Sequence, residues 1–516
     1  MAHPLFFLVV CLVLAPAAAA HDLQSNEEGY ISLLLSNKGV DFAKDVLINK
    51  AVSTIIPLQL PDIEKSVKIP LIGKVHMILS NITIYSVNIS SSYVETGNPG
   101  LVLVASGATA SLSMKWAYSY STWLIVISDS GDASVQVKGM EVGLTVAFKE
   151  QGGTLELSLL DCGCHVQDIT IKLNGGASWL YQGIVDAFQG SIGSAVENAI
   201  SKKIKEEIVK LDSLLQSLPK QIPIDHVAAL NATFVDSPAL SNSFIELEIN
   251  GLFTATDDFA VPRNYDKGKK SSLFNNCPAK MIGISLHEDV FNTAGLVYLN
   301  AGCMHWIVDN SLNHSFLNTA AWKYVYPQLY LQYPNHDMSL NISATSSPAV
   351  KIAKNGINVT IYLDVTVNVL DDSKVIPVAC ISLEIYASCS PQILWNKIAG
   401  TLKLKSFTMS LKWSEIGNVH MDLLQPVIFA LLETVFIPYV NLHLMRGFPL
   451  PLIHGFSLQN AEMHYTESKI MTCSSAQAIK PMLLRLYVIV IHLNSKYDSS
   501  VNMVAKISHP CHKPKL

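Results

Sequence analysis

The amino-acid sequence predicts an α+β fold in which one architecture, an antiparallel sheet with a long helix, occurs twice. Three observations lead to this prediction. Segments that alternate apolar and polar residues occur in two sets, as in antiparallel strands with one buried face. A long apolar stripe at helical spacing follows each set. The order of helix, strands, long helix and proline stop is nearly the same in both halves of the 516-residue chain.

Three helices are predicted from these stripes. The opening helix covers about residues 27–56. The second begins near Trp179, and its apolar residues recur every three or four positions as far as Leu218, where prolines end it. It has about forty residues and is therefore near 60 Å long. The last covers residues 422–444 and also leads into prolines, in Gly447-Phe-Pro-Leu-Pro451.

The predicted strands are separated by Gly, Asn and Asp turns. In the first half they cover residues 75–90, 101–115, 134–149 and 154–160, and in the second half 339–347, 357–370, 375–385 and 401–413. The sequence therefore predicts two domains, 21–256 and 281–473. A polar, turn-rich linker at 257–280 joins them, and an atypical basic tail follows at 474–516.

The composition indicates surplus apolar surface. Apolar residues make up 49% of the chain and charged residues 15%, against about 25% charged residues in an average globular protein. No uninterrupted apolar run of about 20 residues follows the first segment, so no membrane span is predicted there. Either a very large core or an apolar ligand cavity explains the surplus, and composition leaves both open.

The first twenty residues predict export. An apolar run from Leu5 to Leu14 precedes the small residues Ala15 to Ala20, as in a signal peptide at residues 1–20. An uncleaved signal anchor is the alternative. Six glycosylation sequons agree with export, and their asparagines should lie on outer faces or turns. These asparagines are Asn81, Asn88, Asn231, Asn313, Asn341 and Asn358.

Disulfides are expected in an oxidising compartment, although the sequence alone does not choose their pairing. The candidate cysteines are Cys162, Cys164, Cys277, Cys303, Cys380 and Cys389. Cys162-Gly-Cys164-His165 lacks a second cluster at zinc spacing, so no metal site is predicted. The chain has no Gly-x-Ser-x-Gly elbow, phosphate loop or His-Glu-x-x-His motif, so it is not expected to be an enzyme.

Several motifs along nearly the whole chain, in the order in which the family has them, resemble the bactericidal/permeability-increasing and lipopolysaccharide-binding protein family. The motifs are Gly39-Val-Asp-Phe-Ala43, Leu60-Pro-Asp-Ile63, Phe291-Asn-Thr-Ala-Gly-Leu-Val-Tyr298, Ser414-Glu-Ile-Gly417 and Gly447-Phe-Pro-Leu-Pro451. The stretch around Cys162-Gly-Cys-His165 is most similar to the plant branch. The resemblance implies a boomerang of two elongated half-barrels, each a twisted antiparallel sheet wrapped around a long helix, joined by a central sheet.

The resemblance also implies phospholipid in an apolar pocket of each half and recognition of lipid A at the amino-terminal end. Residues carried over to that end are Lys68, Lys74, Lys115, Trp116 and Trp123. The chain departs from the animal pattern there, because Ala117-Tyr-Ser-Tyr-Ser-Thr-Trp123 stands where animal members place several lysines. It also carries Lys205 where animal members place a helix cysteine, so the family's disulfide is not expected. The aromatic residues have two interpretations, an exposed rim that enters lipid or side chains that cover one sheet face.

We therefore expect a secreted lipid-binding protein of innate defence that recognises lipopolysaccharide, holds phospholipid and contacts bacterial or membrane surfaces peripherally. The alternative is a carrier or transfer protein for host phospholipid or another apolar ligand. No cofactor other than bound phospholipid and no nucleic-acid partner is expected. The sequence does not identify a receptor.

Overall fold

The structure is a computed structural model. It describes residues 29–478 except 70–72, 98–99, 175–177, 257–279, 310–314, 372–373, 395 and 451–455. The predicted signal peptide at 1–20 and nearly all of the predicted linker lie outside the described residues. The chain forms two compact units. The first contains Leu34–Leu218 and Asp236–Leu247, and the second contains Glu27–Leu33, Pro219–Val235 and the chain from Glu248 onward. Because residues 219–235 belong to the second unit, these units do not coincide with the predicted division at residue 256.

The described helices are α1 (Asn37–Ile55), α2 (Ser178–Gln216), α3 (Glu288–Asn300), α4 (Pro327–Gln332), α5 (Met421–Leu431) and α6 (Ile437–Leu444). The strands before α2 are β1 (Ile31–Ser36), β2 (Leu58–Gln59), β3 (Ile63–Ile69), β4 (Gly73–Asn88), β5 (Ser91–Thr96), β6 (Leu101–Ser121), β7 (Val126–Gln151), β8 (Thr154–His165) and β9 (Asp168–Leu173). All eight predicted core strands and both later helices correspond to elements of the structure.

The strands after α2 are shorter at first and long in the second meander. They are β10 (Gln221–Pro223), β11 (Ala228–Asn231), β12 (Ala239–Ser241), β13 (Phe244–Ile249), β14 (Phe253–Ala255), β15 (Ile282–His287), β16 (His305–Val308), β17 (Asp337–Ala344), β18 (Ala349–Ala353), β19 (Gly356–Asp371), β20 (Lys374–Leu394), β21 (Lys397–Ser414), β22 (Phe448–Pro449), β23 (Phe456–Tyr465) and β24 (Lys469–Ala478).

The first unit is an eight-stranded antiparallel sheet around α2. Its main order is β2-β4-β6-β7-β8, with β3 beside β4, β5 beside β6 and β9 beside β7. Side chains of β6 alternate between buried and exposed positions along most of the strand, as the sequence pattern predicts. The same helix contacts β3, which lies near one edge of the sheet, and also β8 and β9, which lie near the other edge. The sheet therefore curls around the helix.

The apolar stripe of α2 explains why this helix lies inside the sheet. Phe188, Ile192, Val196 and Ile200 follow one another at four-residue steps, and all are buried in one cluster with sheet side chains. A 39-residue helix is about 58 Å long. A core of that length needs strands of matching length, which the 26 residues of β7 supply.

The second unit repeats this plan with a seven-stranded sheet. Its main order is β16-β17-β19-β20-β21-β22, and β18 pairs with β19. The predicted last helix is present as α5, a π-helical turn at Leu432–Phe436, and α6. Its buried residues include Leu424, Ile428 and Leu431. By length and composition Met421–Leu444 could cross a membrane, but one such helix also fits a wall of a soluble core.

Two predicted boundaries are wrong. The opening helix begins at Asn37 instead of residue 27, because Ile31–Ser36 is a fully buried strand and the Ser36 side chain accepts from the Gly39 amide to cap the helix. The predicted tail begins too early, because Ser474 to Ala478 continue β24, in which Ser474 pairs with β15 and Ser475 to Ala478 pair with β23. Residues 479–516 lie outside the described residues.

Candidate functional site

Three aromatic residues of β6, Trp116, Tyr118 and Tyr120, form a row of stacked rings just before the turn into β7. The rings of Trp116 and Tyr118 stack with centroids 6.0 Å apart, and those of Tyr118 and Tyr120 stack at 6.4 Å. Trp116 is 1% exposed and its Nε1 donates to the Asp132 carbonyl at 3.2 Å. The expectation that Trp116 belongs to an exposed rim is therefore wrong, and the interpretation that these rings cover a sheet face is confirmed. From Ala108 to Tyr118, alternation places the even-numbered β6 side chains on the core face.

Trp123 lies in a different environment, in the turn that joins β6 to β7. We call Trp123, Leu124, Ile125 and Val126 the apolar turn. Trp123 is 92% exposed, and each of the other three side chains is more than half exposed. Thr122 closes the turn, because its amide and its hydroxyl both donate to the Ile125 carbonyl at 2.8 Å. The turn thus holds an ordered apolar surface in solvent.

Lys68 and Lys74 lie at the same end of the sheet as this turn. They are exposed and face each other across the β3–β4 pair. His76 of β4 is opposite Ser119 of β6. Lys74 precedes His76 by two residues in this antiparallel pair, so it lies beside Ser121, at the start of the turn. Like charges directly opposite on a sheet are destabilising. Neither lysine has an ion-pair partner among the residues that the structure describes.

Lys115 is exposed but lies away from this end. It is opposite Ser80 of β4 and Asp132 of β7. It precedes the last residue of β6 by six positions, or about 20 Å of extended strand. The structure thus brings Lys68, Lys74 and Trp123 together and leaves Lys115 and Trp116 out. Sequence reasoning missed Leu124, Ile125 and Val126, although an apolar run without Gly, Asn or Pro at a hairpin turn was a signal that could have found them.

An apolar cleft of about 680 Å³, part of it open to solvent, lies in the second unit between its sheet and α5. Every lining residue is aliphatic or aromatic. They are Phe316, Leu317, Trp322, Tyr326, Leu329, Met338, Leu340, Val365, Val367, Ala379, Ile381, Ile416, Val419, Leu424, Val427, Ile428 and Leu431. A lining of aliphatic and aromatic side chains is typical of sites that bind apolar ligands. The composition allows such an apolar cavity as well as a large core.

The polar atoms of the two cleft residues Trp322 and Tyr326 already form hydrogen bonds to backbone carbonyls. The Trp322 Nε1 donates to the Phe316 carbonyl at 2.6 Å, and the Tyr326 hydroxyl donates to the His420 carbonyl at 2.9 Å. Burial raises the pKa of Tyr326, so it stays neutral. The lining therefore offers no charge and no free hydrogen-bonding group. Such a surface suits an acyl chain and provides no acid, base or nucleophile for catalysis.

The described cysteines correct the disulfide prediction in part. Cys303 is disulfide-bonded, and so is Cys473, which was not among the candidates. Cys277 lies outside the described residues. The other four candidates have free thiols: Cys162, Cys164, Cys380 and Cys389.

Strand geometry explains the free thiols. Cys162 and Cys164 are two residues apart on β8 and project side by side, so their sulfurs do not converge. Cys380 and Cys389 are about 30 Å apart on β20 and face other residues across the sheet. Burial raises the pKa of Cys162 despite nearby Lys205, and raises the pKa of Cys164 to about 12. These thiols are poor nucleophiles.

The sequon asparagines are not all on open surface. Asn81, Asn88 and Asn358 are exposed. Asn231 and Asn341 are only partly exposed, and the Asn341 Oδ1 is buried without a hydrogen bond. Asn313 lies outside the described residues. Within the part of the chain that the structure describes, no group of three His, Cys, Asp or Glu side chains could hold a metal ion.

Two family models together match most of the chain. The N-terminal domain of the LBP / BPI / CETP family matches residues 39–218, and its C-terminal domain matches residues 223–474. The chain belongs to the LBP/BPI/CETP family. Members of this family bind lipids and are not enzymes, in agreement with the prediction from the sequence.

Known relatives agree with this assignment. A BPI/LBP family protein of Arabidopsis thaliana is 52% identical over 451 residues, which are 87% of this chain and 92% of the relative. This similarity confirms the predicted plant branch. The bactericidal permeability-increasing protein of Sebastes schlegelii is 25% identical over 91% of this chain and 99% of its own length. The human lipopolysaccharide-binding protein is 24% identical over 82% of this chain and 88% of its own length.

A solved structure confirms the fold class. The crystal structure of a lipopolysaccharide-binding protein superposes with a TM-score of 0.58 and 19% sequence identity, and covers 88% of this chain and all of the other. The α+β class of curled antiparallel sheets is therefore confirmed. The boomerang arrangement and the central sheet stay predictions.

Proposed function

We propose that this family member is a lipid carrier and sensor that holds the acyl chains of a phospholipid in the apolar cleft of the second unit. The observation that carries the proposal is the lining of that cleft, which has neither a charge nor a free hydrogen-bonding group. Removing an acyl chain from water contributes about 0.8 kcal/mol per methylene. A chain of ordinary length is then held without any polar contact. A corresponding pocket in the first unit is part of the proposal.

The same proposal assigns recognition of lipopolysaccharide to the end of the first unit. Relatives of this chain are named for binding lipopolysaccharide and for increasing bacterial permeability. Lys68 and Lys74 carry the assignment here, because two unpaired ammonium groups side by side suit the phosphates of lipid A. Exposed ion pairs contribute about 0–1 kcal/mol each, so this contact alone is weak. Export through a signal peptide, glycosylation and a role in innate defence complete the proposal.

Lipid extraction tests the cleft. Protein purified without detergent from its secreted form is extracted with organic solvent, and the extract is analysed by mass spectrometry. Val427 lines the cleft and Leu423 of the same helix is exposed and does not. Val427→Trp should reduce the phospholipid recovered per protein, whereas Leu423→Trp should not. Equal recovery from both variants would remove the cleft from the proposal.

A salt titration tests the lysines. Lys68→Ala/Lys74→Ala should weaken binding of purified lipopolysaccharide and flatten its dependence on salt, because screening acts on exposed charges. Lys138→Ala/Lys149→Ala is the matched control, since both lysines are exposed on β7. Loss of binding in the control alone would place recognition elsewhere.

A carrier for host phospholipid or another apolar ligand is the second candidate. The cleft favours it, because a lining without free polar groups does not select among headgroups. The class of lipid recovered by extraction distinguishes the two. A uniform host phospholipid, with lipopolysaccharide binding no tighter than phospholipid binding, would establish the carrier.

A further inference from the structure

The sheet of the second unit carries two exposed tyrosines on the face that lies away from the cleft. Val365 and Val367 of β19 line the cleft, so alternation turns Tyr362 of the same strand to the opposite face. Tyr386 of β20 lies on that face as well, because it is opposite Thr360, two residues from Tyr362. Tyr362 is 36% exposed and Tyr386 37%, so each offers part of its ring to solvent. We call these two residues the tyrosine pair.

Glu384 fixes both rings at their hydroxyl ends. It is directly opposite Tyr362 on the neighbouring strand and two residues before Tyr386 on its own. The hydrogen bond from the Tyr386 hydroxyl to the Glu384 carboxylate is the main cause of the raised pKa of Tyr386. Desolvation, together with the same carboxylate, raises the pKa of Tyr362. Because both hydroxyls share one charged acceptor, the two rings are held as an ordered aromatic surface.

Hydroxyl side chains surround the tyrosine pair. Thr360 and Ser406 are opposite Tyr386 on its two neighbouring strands, and Thr408 is opposite Glu384. An aromatic ring has an apolar face and, in tyrosine, a polar tip. A pyranose ring matches this arrangement, since it has C–H groups on one face and hydroxyl groups around its edge. An apolar protein surface would leave the threonine and serine hydroxyls without partners. The chemistry of this face therefore favours a carbohydrate.

A sequon asparagine lies beside the tyrosine pair. Asn358 is exposed and is opposite Ser388, which follows Tyr386 on the same face of β20. The Asn358 Oδ1 accepts a hydrogen bond from the Lys405 ammonium at 2.8 Å. Because an ammonium group only donates, the atom that faces Lys405 is the oxygen, and the amide nitrogen points elsewhere. Among the described residues that nitrogen has no hydrogen-bond partner. It is the atom to which an N-linked glycan is attached.

We propose that the tyrosine pair is a carbohydrate-binding surface and that its occupant is the first sugars of a glycan on Asn358. Asn358 and Tyr386 are diagonal neighbours on adjacent strands, about 7–8 Å apart, which is within reach of a sugar linked to the amide nitrogen. The bond from Lys405 keeps the amide in one orientation while the sugar packs on the rings. The inference rests on the export and glycosylation of the proposed function and does not involve the lipid cleft.

Site-resolved deglycosylation tests the packing. The full-length protein, secreted by eukaryotic cells, is digested without denaturant by an amidase that releases N-glycans, and mass spectrometry of its peptides follows each asparagine separately. Release from Asn358 should be roughly tenfold slower than from the exposed Asn81 and Asn88, since the sugars must first leave the rings. Tyr362→Ala/Tyr386→Ala should abolish the slow release. Tyr386→Ala alone replaces this variant if it is not secreted, and should change the rate in the same direction.

Trp413→Ala is the matched control. Trp413 is 37% exposed, as Tyr386 is, and is opposite Cys380, roughly 26 Å along β20 from Ser388. The slow release from Asn358 should persist in this variant.

Thermal unfolding gives a second measurement. Asn358→Gln, which removes the glycan, should lower the unfolding midpoint of the parent by about 2–4 °C and that of the tyrosine variant by much less. The double-mutant comparison isolates the contact between glycan and rings from any general effect of glycosylation.

Three results would overturn the inference. The first is a secreted parent with no glycan on Asn358, and the second is equal release from Asn358 in the parent and the tyrosine variant. The third is a parent that sediments as a dimer which only the tyrosine variant abolishes, because a second copy would then be the occupant. Glycans at other sequons but not at Asn358 would refute this inference and leave export standing. Phospholipid recovered by extraction should be the same from all variants, so the cleft is tested separately.

Discussion

Replacing each of the two tryptophans of the β6–β7 hairpin should change stability by very different amounts. Trp116→Ala removes a side chain that is 1% exposed and sits in the main core of the first unit. Burial and cavity effects of this change cost about 3–5 kcal/mol. The hydrogen bond from Nε1 to the Asp132 carbonyl is also lost, but that carbonyl still accepts from the Asn174 amide at 3.0 Å and is not left unsatisfied. The total loss is therefore about 4 kcal/mol.

Thermal unfolding followed by circular dichroism measures this loss. For a unit of this size, 4 kcal/mol lowers the midpoint by about 8–16 °C. Trp123→Ala should change the midpoint by about 2 °C or less, because it removes an exposed side chain. Trp123→Ala should weaken lipid binding while Trp116→Ala, below its unfolding temperature, should not. A stable Trp116→Ala protein, or a strongly destabilised Trp123→Ala protein, would refute the assignment of one indole to the core and the other to the surface.

Three further predictions follow from the described side chains. The His287 ring lowers the pKa of Asp289 below 3.8, so its carboxylate stabilises the fold above that pH and loses the effect as pH falls. Asp289→Asn should therefore unfold at a lower temperature than the parent at pH 7, and calorimetry should show this difference shrinking as the pH falls through the lowered pKa of Asp289. At least four free thiols should react with a disulfide reagent in denaturant without reductant, and almost none in the native protein at pH 8, since burial raises their pKa values. At least three sequons should carry glycans, and an unchanged mass after enzymatic deglycosylation would disprove this.

The long elements could be predicted because their physical signals are local. The four-residue spacing of Phe188, Ile192 and Val196 specifies a buried helix face, and alternation along β6 specifies a sheet face. The first strand shows where prediction from local sequence signals fails. Ile31–Ser36 reads equally well as a helical or an extended apolar run, and only its burial between neighbouring strands decides for the strand.

The candidate sites depend on contacts that periodicity does not report. Trp116 and Trp123 differ by seven positions, and only the location of the turn at Thr122 separates a core ring from a surface ring. The apolar cleft joins residues from distant strands, short helical turns and α5, so no single segment shows it. The thiols are free because the strand register places no second cysteine directly opposite any of them on a neighbouring strand.

The closing of the β6–β7 turn by Thr122 has a consequence for how such proteins diversify. The turn is closed by backbone hydrogen bonds and one hydroxyl. The side chains at the four positions after Thr122 are therefore not needed for folding. Selection, or an engineer, can rewrite them as basic, aromatic or acidic without unfolding the scaffold. Affinity for a surface can then evolve by a few substitutions at the end of one hairpin, while the two curled sheets are inherited unchanged.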